Sequence, residues 1–104
     1  MDYSLRVLEI LKSETFNNWL ADLKDRQARV RIQVRLDRMA LGNPGDVKPV
    51  REGVSEMRID HGPGYRVYFM QRGHLSIVLL AGGDKGSQEA DIERAIKIAR
   101  NWKD

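Results

Sequence analysis

Cysteine is absent from this 104-residue chain, which excludes disulfides, thiolate metal sites and a cysteine nucleophile. Histidine is nearly absent too. His61 and His74 are too few for a histidine-rich metal centre, and neither a metal nor a cofactor is expected. No apolar run approaches the roughly 20 residues that a membrane span needs, so no membrane partner is expected. The first residues carry Asp2 and no basic-then-apolar signal pattern, which makes the cytoplasm the expected location. No internal repeat or low-complexity tract is present. What remains is an ordinary globular composition, 41% hydrophobic and 32% charged, too apolar for a disordered chain. The length suits a single domain over residues 1–104 with one modest core. A formal net charge of +3 is compatible with a polyanionic partner without requiring one.

The pattern along the chain predicts an α+β domain of order β-α-α-β-β-β-α, an antiparallel sheet packed on a helical hairpin. Residues 3–10 read as a first strand. Ser13 is placed to cap a short helix carrying Phe16, Trp19, Leu20 and Leu23 at helical spacing. Asp25 is placed to cap a longer helix with the apolar stripe Ala28, Ile32, Leu36 and Met39, stopped by Gly42-Asn43-Pro44-Gly45. Residues 47–52 read as extended, with Pro49 marking an edge or a connecting segment. Strands are expected near 54–60, 65–71 and 75–81. Ser87 should then cap a last helix whose apolar stripe is Ile92, Ala95, Ile96, Ala99 and Trp102.

Strand register selects the candidate site. Met57, Ile59, Tyr65, Val67 and Phe69 share a face only if Ile59 opposes Tyr65 and residues 60–64 form the loop. Arg58 then opposes Arg66, and Glu56 opposes Tyr68. A one-residue slip would bury both arginines. Like charges set directly opposite destabilise a sheet, so an anion between them is a natural inference. Carried into the next hairpin, the same alternation sets Val67 opposite Leu79 and Arg66 opposite Leu80. It also brings Lys85 out at the Arg66 end of the sheet. The side chains of Met70, Val78 and Leu80 share the Arg66 face and require a cover, either the last helix or a partner.

Arg58, Arg66 and Lys85 together suit a phosphodiester clamp, because guanidinium forks match phosphate oxygens and fixed cations stabilise a phosphorane-like transition state. The alternative is a solvated sheet face with Glu56 and Asp60 as counter-ions. Gly82-Gly83-Asp84-Lys85-Gly86 lacks the spacing of either phosphate-loop motif and reads as a tight turn into the last helix. His61, in the hairpin loop, is a possible general acid or base, although a lone loop histidine is more often simply exposed. Glu56, beside two arginines, suits a salt bridge better than a base. Lys48 and Arg51 add cations to a possible RNA-binding track, as do Lys12, Lys24 and the arginines of the second helix. Such a run is also a common solvated face.

Residues 53–69, Gly-Val-Ser-Glu-Met-Arg-Ile-Asp-His-Gly-Pro-Gly-Tyr-Arg-Val-Tyr-Phe, resemble the toxins of the RelE/ParE superfamily. The likeness is to the HigB-like addiction module killer protein branch. Residues 79–95, Leu-Leu-Ala-Gly-Gly-Asp-Lys-Gly-Ser-Gln-Glu-Ala-Asp-Ile-Glu-Arg-Ala, support the same branch, and the element order also matches over nearly the whole chain. The resemblance implies the toxin of a type II toxin–antitoxin pair. Its partners would be a cognate, DNA-binding antitoxin in a hetero-oligomer, the ribosome and mRNA. RelE-like members cleave mRNA in the ribosomal A site by attack of a ribose 2′-OH on the adjacent phosphate. Carried over by position, Arg58, Arg66 and Lys85 match basic site residues. Glu56 stands where a lysine proposed as proton acceptor is found. Gln88 or Asp91 falls where the last helix has a catalytic tyrosine, and the chain ends Asn101-Trp-Lys-Asp104 without the Asp-Tyr-His of some members. Glu56, His61 and Asp84 are then the candidate proton carriers. Two other functions stay open at this point, a ParE-like gyrase poison and a toxin-like binding module whose catalysis has decayed.

Overall fold

The computed structural model describes residues 7–103. Its elements are β1 (Glu9–Lys12), α1 (Glu14–Asp22), α2 (Arg26–Ala40), β2 (Val47–Arg51), β3 (Val54–Ile59), β4 (Tyr65–Arg72), β5 (Ser76–Asp84), a 3₁₀ turn (Lys85–Ser87) and α3 (Gln88–Asn101). The five strands form one sheet in the order β1-β5-β4-β3-β2. The segment read as an edge or connector is thus a full strand, β2. Pro49 sits there on the sheet's outer edge, where its missing N–H costs no ladder bond.

Two expected features of the architecture are corrected. The sheet is mixed, because β1 pairs in parallel with β5. The edge of β4 next to β3 is already filled, so the first strand takes the outer edge of β5. Its direction is fixed by the need to deliver Ser13 to the start of α1. The domain also has three layers. Phe16, Ile32, Leu36 and Met39 of the helical hairpin pack on Met57, Ile59, Val67 and Leu79 on one face. On the other face Ile92, Ala95 and Ile96 of α3 pack on Val54, Met70, Val78 and Leu80. Helix α3 is therefore the cover that this apolar face requires.

The first strand also begins later than expected. The N–H of Leu8 is taken by the carbonyl of Ala40, and among the described residues pairing starts where Glu9 meets Ser76. Residues 3–6 of the expected strand lie outside the described residues. Both helix caps of the hairpin form as anticipated. Phe16 N–H donates to Ser13 Oγ at 3.0 Å, and Ala28 N–H to Asp25 Oδ1 at 3.1 Å. The last helix differs. Ser87 stands at its N-cap without a capping bond, because its hydroxyl donates to the buried carboxylate of Asp91 instead. Trp102 is the C-cap, just beyond the helix it was expected to line.

The β3–β4 register is the expected one, with Ile59 opposite Tyr65, Arg58 opposite Arg66 and Glu56 opposite Tyr68. The β4–β5 register is not. Phe69 pairs with Leu79 but Tyr68 with Ala81, leaving Leu80 as an extra residue in a bulge. Val67 therefore opposes Gly82, and Arg66 opposes Gly83. Ser13 secures the bulge, since its hydroxyl donates to the Leu80 carbonyl at 2.7 Å while accepting from Phe16. After the bulge the side-chain parity reverses. Gly82 turns to the Trp19 ring and Gly83 to Asp91, so both glycines belong to β5 and neither belongs to the expected turn.

Close approach explains these two glycines. A Cβ at Gly82 would fall 2.2 Å from the Trp19 ring. Gly82→Ala should therefore lose about 1–3 kcal/mol of stability through overpacking. Urea unfolding followed by tryptophan fluorescence checks this as a lowered midpoint at unchanged slope.

Candidate phosphate-binding site

Helix α3 covers the sheet as far as the row formed by Glu56, Tyr68 and Ala81, with Lys48 exposed at its β2 end. The next row, Arg58, Arg66 and Gly83, lies at the helix's N-terminal edge. A surface cleft of about 300 Å³ opens there, lined by Asp46, Arg58, Asp60, Gly64, Tyr65 and Arg66 among others.

The two arginines differ in setting. Arg66 has a side chain only 12% exposed, and its Nε lies 3.5 Å from Glu56 Oε1. Glu56 is completely buried. Its other oxygen accepts a hydrogen bond from Gln88 Nε2 at 2.8 Å. Among the described residues neither Nε nor Nη1 of Arg66 has a hydrogen-bond partner, although both atoms are buried. Burial, followed by the charge of Glu56, raises the pKa of the adjacent Tyr68 phenol, keeping it protonated. Arg58 is half-exposed and pairs with Asp46 at 3.2 Å. Its backbone is fixed on both sides: its N–H donates to the Asp46 carbonyl, and its carbonyl accepts from Arg35 Nη1 at 2.6 Å. Arg35 also reaches the carbonyl of Pro44 at 3.0 Å. This one arginine of α2 is thus a structural tie between helix and sheet.

The other sequence-selected residues are distributed around this row. Lys85 is exposed in the 3₁₀ turn and borders the cleft at Gly64, where an added Cβ would lie 3.7 Å from the Lys85 Cβ. Lys48 is exposed on β2, opposite Glu56. Arg51 is drawn to α3 by Glu89 at 2.6 Å, and that hydrogen bond raises its pKa further. His61 is directed to the helical-hairpin side, with Nε2 3.2 Å from Asp25 Oδ2. Asp84 accepts from Gly86 N–H at 2.8 Å. Of the three candidate proton carriers, Glu56 is buried, His61 faces a helix cap and Asp84 closes a turn. Sequence reasoning missed Asp46 and Gln88. Asp46 became visible only once β2 was seen to bring it beside Arg58. Gln88 held a position noted for lacking tyrosine, with nothing in the pattern to pair it with Glu56.

Comparison with known proteins adds the family. The family described as Phage derived protein Gp49-like (DUF891) matches residues 18–103. The chain belongs to the Gp49-like family. An uncharacterized protein of Haemophilus influenzae is 42% identical over 93 residues, covering 89% of this chain and 94% of the relative. Among solved structures, a chain of the toxin–antitoxin complex RelBE2 of Mycobacterium tuberculosis is similar with a TM-score of 0.52 and 19% identity. That match covers 81% of this Gp49-like chain and 98% of the other. It shows a shared fold. Among the described residues, no helix is long and apolar enough to cross a membrane.

The two ion pairs should respond very differently to truncation. Glu56→Ala strands a nearly buried guanidinium and should cost about 3–5 kcal/mol. Asp46→Ala breaks an exposed pair and should cost less than about 1 kcal/mol. Chemical denaturation of the two variants checks the contrast. A separate pH signature is expected from Asp25, whose pKa is lowered chiefly by the Ala28 N–H and further by His61. A depressed carboxylate stabilises the fold above its unfolded pKa of 3.8 and loses that contribution as pH falls through the folded value. Asp25→Asn should flatten the acid limb of the stability curve there.

Proposed function

We propose that this Gp49-like protein is the toxin of a type II toxin–antitoxin pair and acts as a ribosome-dependent mRNA endonuclease. The observation that carries the reading is the Arg66 guanidinium at the cleft, its Nη1 without a hydrogen-bond partner among the described residues and a second arginine directly opposite. A phosphate oxygen satisfies such a donor and relieves the repulsion between the two cations. The fold shared with a chain of a toxin–antitoxin complex supports an antitoxin as partner.

In this reading Arg58 and Arg66 hold the non-bridging oxygens of the scissile phosphate. Lys85 adds charge from the rim, and Lys48 extends the RNA track along β2. Phosphate displaces Asp46 from Arg58 at little cost, since an exposed pair is worth about 0–1 kcal/mol. The ribose 2′-oxygen bonds to phosphorus, the bond to the 5′-oxygen breaks, and the products are a 2′,3′-cyclic phosphate and a free 5′-OH. The 2′-OH proton passes through water to a carboxylate at the cleft, Asp46 or Asp60, and solvent protonates the departing 5′-oxygen. Glu56 acts by fixing Arg66 rather than by carrying a proton. His61 acts by ordering the loop. Transition-state electrostatics and orientation then supply most of the acceleration.

Induction of the protein without antitoxin, followed by mapping of mRNA 5′ ends, tests the proposal. In-frame cuts on translated messages are expected. Arg58→Ala should reduce cleavage by about 10²-fold or more while the protein stays folded. For Arg66, the paired change Glu56→Gln with Arg66→Met avoids a stranded charge and should also abolish growth arrest. Full arrest by either variant would remove the site. DNA breakage with intact transcripts would assign a gyrase poison instead.

A further inference from the structure

The outer surface of α2 carries a feature that folding does not explain. Val30 is 60% exposed and Val34 41% exposed. Four residues apart, they adjoin on one helix face. β-branched residues lower helix propensity, so two of them on a solvent-facing helix surface cost stability and gain no core packing. They form one wall of a groove of about 370 Å³, which also contains Arg31, Arg38, Ile59 and Asp60. Arg35 lines it too and is held by its bonds to the carbonyls of Arg58 and Pro44, so this part of the groove is already set. Arg31 and Arg38 form no ion pair among the described residues. Helix α2 as a whole contains five arginines and one acid, Asp37.

We propose that this groove is a docking surface for an acidic amphipathic helix of a partner protein. The apolar anchors of that helix lie on the exposed Val30 and Val34, above the buried Ile59 at the groove floor, and its carboxylates meet Arg31 and Arg38. The chemistry distinguishes the occupants. A second copy of this chain would bring five arginines against five, and RNA would engage the arginines while leaving both valines wet. An acidic helix satisfies both components, in the helix-in-groove mode of recognition. The inference stands on the α2 surface and does not require the nuclease reading. If that reading holds, the partner is the antitoxin.

The test is titration of the full-length protein with a synthetic helical peptide bearing leucine at i, i+4, i+7 and i+11 and glutamate on the flanks. Two controls accompany it: a scrambled peptide, and a lysine version of the same helix. The acidic helix alone should bind, with NMR shifts concentrated on α2 and residues 59–60. Val30→Ser with Val34→Ser should weaken binding at least about tenfold, equivalent to about 1.4 kcal/mol. Arg31→Ser with Arg38→Ser should weaken it and flatten its salt dependence. Equal binding of the scrambled peptide, or indifference to the valine changes, would overturn the proposal. So would a dimer in sedimentation that the valine changes dissolve, or an RNA oligonucleotide whose binding depends on the two valines. The valine variant should still arrest growth, which separates failure of this surface from failure of the nuclease reading.

Discussion

The contact between Glu56 and Arg66 beneath the start of α3 organises the molecule. Removing a carboxylate and a guanidinium from water is expensive, and their mutual attraction rarely yields much net stability. What the pair provides is position. Glu56, completely buried, receives Gln88 from α3 on one oxygen and faces Arg66 with the other. The first residue of the last helix is thereby indexed to the middle of the sheet. The helix covers every apolar row behind that point and leaves the arginine row in front of it at the cleft. A displaced Glu56 would move both the cover and the cation.

How far the sequence is legible follows the regularity of each element. The β3–β4 pairing has no bulge, its residues nearest the turn (57–59 and 65–67) alternate, and it is closed by Gly62-Pro63-Gly64, so its register and its opposed arginines follow from side-chain parity. The helix caps Ser13 and Asp25 follow from local chemistry. The β4–β5 register was illegible on two counts: the turn sets Phe69 rather than Val67 opposite Leu79, a two-residue shift that keeps parity, and the extra residue at Leu80 then reverses the parity with no pattern of apolar residues to mark it. The role of Glu56 was half legible. Its arginine neighbour follows from register, whereas its glutamine neighbour arrives from another layer. His61 illustrates the opposite limit, since its position in the loop was evident but its partner, the cap of α2, was not.

The cleft and the α2 groove share Ile59 and Asp60 as a common wall. The β3–β4 turn therefore stands between two surfaces of different chemistry, one donor-rich and one apolar with a basic rim. Arg35 binds the backbone on which both are built. A ligand on either side abuts the same short segment, and the turn's rigid glycine-proline tip limits how far it can yield.

The bulge at Leu80 has a consequence for the length of the chain itself. Strand β5 is counted in side-chain phase rather than in ångströms. Loss of one residue there would restore uninterrupted alternation while barely shortening the strand. It would also exchange the two glycine positions, so that the space needed by the indole and the space needed by the Asp91 carboxylate would each be offered on the wrong side. The strand thus has an obligatory residue count, kept by a hydroxyl on Ser13 that holds the odd carbonyl in place.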